Sequence, residues 1–222
     1  MKLLKIAFLL FFTFSLANAQ SKKPSGNDQY VKITTNLGAM VFKLSAETPK
    51  HTTNFIRLAK KGYFNTYDFN RVIKGFVIQG GETDSAYAAM EKAGQELERI
   101  LPEFSTDLFH QKGALAAGRD DNKQKSSFLG QFYVVDGKKY TDVQLDALEK
   151  RNGKEFSADA RKIYKEVGGT PSLDQNYTVF GQLVLGWDVL DLIAGQQKDK
   201  SDRPLTKVRF KVSCFLKKRL VH

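Results

Sequence analysis

The sequence predicts a mainly β protein: a closed, eight-stranded antiparallel barrel capped by two helices, with helical insertions at about 85–100 and 141–167. Three observations lead there. Many short runs carry the alternating or apolar pattern of strands. Two amphipathic runs frame them, as the end caps of a barrel would. Two further stretches are dense in helix-favouring residues and stand outside the strand pattern.

Tyr30-Val-Lys-Ile-Thr-Thr and Ala39-Met-Val-Phe-Lys-Leu alternate across the break Asn36-Leu-Gly38, which is the pattern of a hairpin. From Thr48 the period changes. Pro49 suits a first helical turn, Phe55, Ile56, Leu58 and Ala59 share one side, and Gly62 ends the segment. Strands are then expected at Tyr67–Ile73, Gly75–Gln79, Gly113–Ala117, Gln131–Val135 and Tyr177–Leu185. Val189–Ala194, stopped by Gly195, is the second packed helix, and Val208–Leu216 the closing strand.

In the first insertion, Ser85–Ile100, Gly94 interrupts an otherwise helical composition. The second reads as a helical hairpin. Thr141 or Asp142 caps its first helix and Gly153 ends it; Ser157 caps the second, and Gly168-Gly169 ends that.

The N-terminus places Lys2 and Lys5 before an apolar run, Ile6–Leu16, and then Ala17-Asn18-Ala19, the small-residue pattern of a cleavage site. Residues 1–19 are therefore read as an export signal, too short to span a bilayer core of roughly 20 residues. Residues 20–28 are a polar, disordered leader, and one domain is expected over 29–218. After cleavage the chain has no membrane segment. Its location is outside the cytoplasm: periplasmic if the source is Gram-negative, otherwise secreted.

The formal charge of +11 becomes +9 without Lys2 and Lys5. The cations are dispersed apart from Lys217-Lys218-Arg219, and no aromatic-and-basic stacking motif accompanies them, so no nucleic-acid partner is expected. The single cysteine, Cys214, has no partner for an internal disulfide and lies in an alternating run as a small apolar residue. Three histidines, no nucleophile elbow and no Cys/His metal spacing exclude a serine triad or a zinc site, and His110 is read as a surface or loop residue.

One segment carries chemistry: Phe69-Asn70-Arg71-Val72-Ile73, Phe76 and Gln79-Gly80-Gly81. It closely resembles the signature of the cyclophilin family. Gly113-Ala-Leu-Ala-Ala117, Gln131-Phe132-Tyr133-Val134 and Val179-Phe180-Gly181 follow in the family's order, so the resemblance covers roughly Tyr30 to Leu216 outside the insertions. It implies a cyclophilin-like barrel and peptidyl-prolyl cis-trans isomerase activity, with no metal or cofactor. The resemblance makes Arg71 the catalytic residue and lines a proline socket with Phe76, Val77, Tyr133 and Leu173. Each of these four is also an ordinary core residue type. Gln79 and Gln131 match positions that contact the substrate backbone and brace the arginine. Arg119 matches one that binds peptide through its backbone, where substitution should be tolerated. Tyr177 supplies an aromatic wall where the family often has His; Asn70 also replaces a frequent His, and Ser172 a bulky rim residue.

The chemistry follows from the peptide bond. Partial double-bond character sets a barrier of about 18–20 kcal/mol, and uncatalysed X-Pro isomerisation takes roughly tens to hundreds of seconds. A guanidinium is always charged and offers donors in a rigid fork, so it can stabilise the prolyl nitrogen as its lone pair localises. The expected partners are proline-containing segments of unfolded or exported proteins, met by a monomer. The competing reading is a binding module that holds such segments with weak or no isomerase activity.

Overall fold

The computed structural model describes residues 28–216. The export signal expected at 1–19, nearly all of the expected polar leader and the run Lys217-Lys218-Arg219 lie outside the described residues. Eight strands close a barrel: β1 (Gln29–Thr35), β2 (Gly38–Leu44), β3 (Asp68–Ile73), β4 (Val77–Gly81), β6 (Ala114–Ala117), β8 (Gln131–Val135), β9 (Val179–Leu185) and β10 (Val208–Leu216). Around the barrel their order is β1-β10-β3-β4-β8-β6-β9-β2, and every pairing is antiparallel. Two short strands, β5 (Arg99–Ile100) and β7 (Ser127–Phe128), pair outside it.

Alternation decides which side chains fill the barrel. Val31, Ile33, Met40, Phe42, Leu115, Phe132, Val134 and Phe210 point inward and are buried in one cluster. Helix α1 (Pro49–Lys60) adds Phe55, Leu58 and Ala59, and α5 (Trp187–Ala194) adds Val189, Leu190, Ile193 and Ala194. Phe55 meets Phe64 at 4.9 Å and Phe132 edge-on at 5.4 Å between ring centroids. Each such side chain stabilises the fold by about 1.5–3 kcal/mol on burial. Among the described residues no helix is long and apolar enough to cross a membrane.

The second insertion is a helical hairpin, α3 (Asp142–Asn152) and α4 (Ala158–Glu166). Thr141, not Asp142, is the cap: its hydroxyl accepts from the Gln144 N–H while the Gln144 side chain accepts from the Thr141 N–H. Ser157 caps α4. The hairpin has its own small core of Leu145, Ala160 and Tyr164, edged by Phe109, Tyr140 and Phe156.

The first insertion, read as helical over Ser85–Ile100 with an interruption at Gly94, is helical only in its first half. Helix α2 spans only Asp84–Lys92, and Gly94 turns the chain with φ +72°, a left-handed conformation that costs other residues. The chain then runs extended into β5. Tyr177 also differs from expectation, lying in the bend before β9 rather than on the strand.

Candidate active site

The barrel's outer face at β4, β8, β6 and β9 is built by the residues whose neighbours fill the interior. Across the β4–β8 ladder Val77 faces Val135 and Gln79 faces Tyr133; Ala116 of β6 faces Tyr133 from the other side. These outward residues form a second apolar cluster: Val77, Ala114, Ala116, Tyr133, Val135 and Val179, with Phe76, Leu108, Leu173 and Tyr177 packed on it. Ala114 and Ala116 are fully buried beneath this face.

Arg71 reaches this face through an irregularity. Phe69 pairs with Gly80 and Arg71 with Gln79, so Asn70 is an extra residue on β3, a β-bulge. It lets Phe69 and Val72 both enter the barrel core while Arg71 turns outward. The Asn70 side-chain amide, itself buried, donates to the Gly81 carbonyl at 2.7 Å and pins the bulge across the ladder.

Together these elements enclose an open cavity of about 200 Å³ lined by Arg71, Phe76, Val77, Gln79, Asp84, Gly118, Arg119, Gln131, Tyr133, Leu173 and Tyr177. Such a volume suits a single ring with flanking backbone rather than a drug-sized ligand. One wall is apolar, and the Arg71 side chain stands opposite at 39% exposure.

The matching family model, cyclophilin type peptidyl-prolyl cis-trans isomerase, spans residues 30–213. The chain belongs to the cyclophilin family. It is therefore an isomerase of the cyclophilin type. A Staphylococcus saprophyticus relative provisionally named a peptidyl-prolyl cis-trans isomerase is 37% identical, covering 82% of this chain and 88% of its own. A provisionally named bifunctional phosphatase/peptidyl-prolyl cis-trans isomerase of Streptococcus pyogenes is 37% identical over 78% of this chain, which spans only 36% of that protein. A solved Cryptosporidium parvum cyclophilin shares the fold at 23% identity with a TM-score of 0.61, covering 85% of this chain and 98% of its own.

In this cyclophilin all nine residues singled out in the sequence line one cavity. Two of the expected contacts differ. Gln131 does not brace Arg71: its Nε2 donates to the Glu82 carbonyl at 3.0 Å and to Asp84 Oδ1 at 2.7 Å, tying β8 to the start of α2. Arg71 is approached instead by Asp202, whose Oδ2 lies 3.8 Å from Nε and whose carbonyl accepts from the Val72 N–H. Gln79 is the cross-strand neighbour of Arg71, and its amide has no hydrogen-bond partner among the described residues.

Arg119 is also more than a backbone position. Its Nε donates to the Asn176 carbonyl at 2.7 Å, one NH donates to the Asp120 carbonyl, and the guanidinium lies 4.6 Å over the Tyr177 ring. The side chain is almost wholly buried and packs against the Tyr177 wall, a contact the expectation of a backbone-only role did not include.

His110 is likewise not a surface residue. It lies in a loop yet is fully buried, beside the cavity wall: Nε2 is 2.9 Å from the Tyr133 hydroxyl and Nδ1 is 2.7 Å from Asp174 Oδ1. Burial, and secondarily the neighbouring Tyr177 and Asp174, holds the Tyr133 phenol well above its ordinary range, so it keeps its proton. Asp84, His110, Asp174 and Asp202 were all missed from sequence. Each acts across a long sequence separation from a segment that reads as polar loop or helix start, and no local pattern marks it.

Among the described residues no group of three or more His, Cys, Asp or Glu side chains gathers as a metal site.

Proposed function

We propose that the chain isomerises X-Pro bonds in unfolded polypeptide segments, with Arg71 stabilising the twisted prolyl amide. The observation that carries this reading is the placing of one half-exposed guanidinium opposite an apolar socket formed by Phe76, Val77, Tyr133 and Leu173. The proline ring enters the socket. Arg71 donates toward the prolyl nitrogen as rotation localises its lone pair, an interaction absent from the planar ground state and so effective in lowering the barrier. The Gln79 amide, free of protein partners among the described residues, is available to the substrate backbone. A second C. parvum cyclophilin structure, of 23% identity and TM-score 0.59, was solved in the presence of the dipeptide Ala-Pro, which supports proline as the recognised ring.

The clients proposed are proteins that fold after export, on the strength of the Lys2 to Ala19 pattern in the sequence. They meet slow prolyl steps outside the cytoplasm, and the chain serves them as a monomer. Sequencing the N-terminus of the secreted protein is expected to give Gln20 first; an intact Met1 would overturn the export reading.

A protease-coupled assay on a short X-Pro peptide tests the reaction. Arg71→Ala is expected to lower kcat/KM by about 10²–10³, the usual cost of one preorganised donor. An unchanged rate would remove Arg71 from the mechanism. A wild-type chain that slows client aggregation without accelerating the peptide would instead be a holdase.

A further inference from the structure

A tyrosine is an awkward wall for an apolar socket, because its hydroxyl must be satisfied without turning into the space the substrate needs. Tyr133 is buried, and its hydroxyl meets His110 Nε2. Asp174 fixes the imidazole from the other side: its Oδ1 accepts both the His110 backbone N–H at 2.8 Å and the ring Nδ1–H at 2.7 Å. A neutral ring with its proton on Nδ1 leaves a lone pair on Nε2, so the Tyr133 hydroxyl is the donor there. The second carboxylate oxygen of Asp174 accepts from the hydroxyl of Tyr164, at 2.6 Å, and Tyr164 is the fully buried centre of the α3–α4 hairpin.

The backbone supports the same line. The Thr170 N–H donates to the His110 carbonyl at 2.8 Å, and a Cβ on Gly169 would stand 2.2 Å from that carbonyl and 2.6 Å from the Tyr164 ring. Only glycine permits the hairpin to return so close to His110.

We propose that His110 is a positioning residue for the isomerase: oriented by Asp174 and, through it, by Tyr164 of the hairpin, it takes the Tyr133 hydroxyl and fixes that ring as a wall of the proline socket. This rests on the cavity being the proline socket. The α3–α4 insertion is then part of the catalytic apparatus, although its own helices do not line the cavity.

His110→Leu is expected to lower kcat/KM about tenfold, as the Tyr133 hydroxyl loses its acceptor and seeks another. In a Tyr133→Phe background the same change should have no effect, because no hydroxyl remains to be held. Tyr164→Phe, outside the cavity, should lower kcat/KM about threefold alone and leave the Tyr133→Phe enzyme unchanged. Losses that persist in the Tyr133→Phe background would make His110 and Tyr164 core residues only and overturn the proposal. The ¹⁵N shifts of the His110 ring, read by NMR, test the tether without any assay: a proton on Nδ1 alone is expected, and a proton on Nε2 would overturn it. An Arg71→Ala enzyme of undiminished activity refutes the socket reading instead, and leaves the NMR result standing.

Discussion

The two insertions approach the same cavity and are held by opposite means. The 84–103 side is fastened at many points by charge and ring contacts. Arg99 forks onto both oxygens of Asp120 at 2.8 Å, reaches Glu91 at 2.9 Å and covers the Phe128 ring, which in turn stacks on Tyr87. Glu103 accepts the backbone N–H groups of Lys50 and His51 and the His51 ring. The 141–167 side is instead a small folded unit with a core, three caps and one buried line of contact through Tyr164. A segment that keeps its own core can fold as a piece; one that borrows its contacts is ordered only where the barrel grips it.

The largest test of this contrast is Leu145→Ala, which opens a void in the hairpin's core and should cost about 2–5 kcal/mol. Hydrogen exchange is expected to show 141–167 opening while the barrel strands keep their protection; uniform loss would show that the hairpin is not a separate unit. On the other side, Tyr87→Phe strips the buried Gly130 N–H of its acceptor, a cost of about 1–3 kcal/mol visible in the urea midpoint. Thr141→Ala removes the capping box and should cost about 1 kcal/mol, confined to exchange of the first turn of α3.

Acid separates the sides most gently. Burial pushes the His51 imidazole below its ordinary 6.5, despite Glu103 beside it, so it is held neutral in the folded chain. The unfolded chain then binds the extra proton first, and this contribution to stability is present above pH 6.5 and is lost as pH falls below it. Burial opposes ionisation of Glu103, but the donors around it hold its carboxyl below 4.5, and its contribution fades only under that value. Asp142 of the hairpin, held low by Lys165 and Arg161, persists to still lower pH. Between pH 6.5 and 4.5 the 84–103 side should therefore loosen first, read as exchange corrected for intrinsic rates. Loosening of 141–167 first would reverse the comparison.

The same contrast explains what was legible in the sequence. The eight barrel strands and the hairpin announce themselves through alternation and through caps, which are local signals. Composition suggested helix over 85–100 with Gly94 interrupting it; what the sequence did not show is that the chain beyond Gly94 pairs Arg99 and Ile100 with Phe128 and Ser127 instead of resuming the helix that ends at Lys92. Six of the nine expected site residues sit within intact motifs, and Arg119, Leu173 and Tyr177 were expected from matched family positions outside them; all nine line the cavity. Their supports were not legible: His110 follows Phe109 in a segment that reads as exposed, and its partners Tyr133 and Asp174 are 23 and 64 residues away. The bracing of Arg71 by Asp202 is likewise a tertiary fact, made by a loop with no periodicity.

Asn70 makes the whole site a matter of parity. A strand assigns its residues to inside and outside by odd and even count, and the one surplus residue in β3 changes the count between Phe69 and Arg71. Were all six residues of β3 held in strict alternation, without the bulge, the guanidinium would turn in among the phenylalanines with no counter-charge and Val72 would come out to the cleft. Every residue named in the site would still be present. The site thus depends on where β3 places its surplus residue as well as on which side chains it carries.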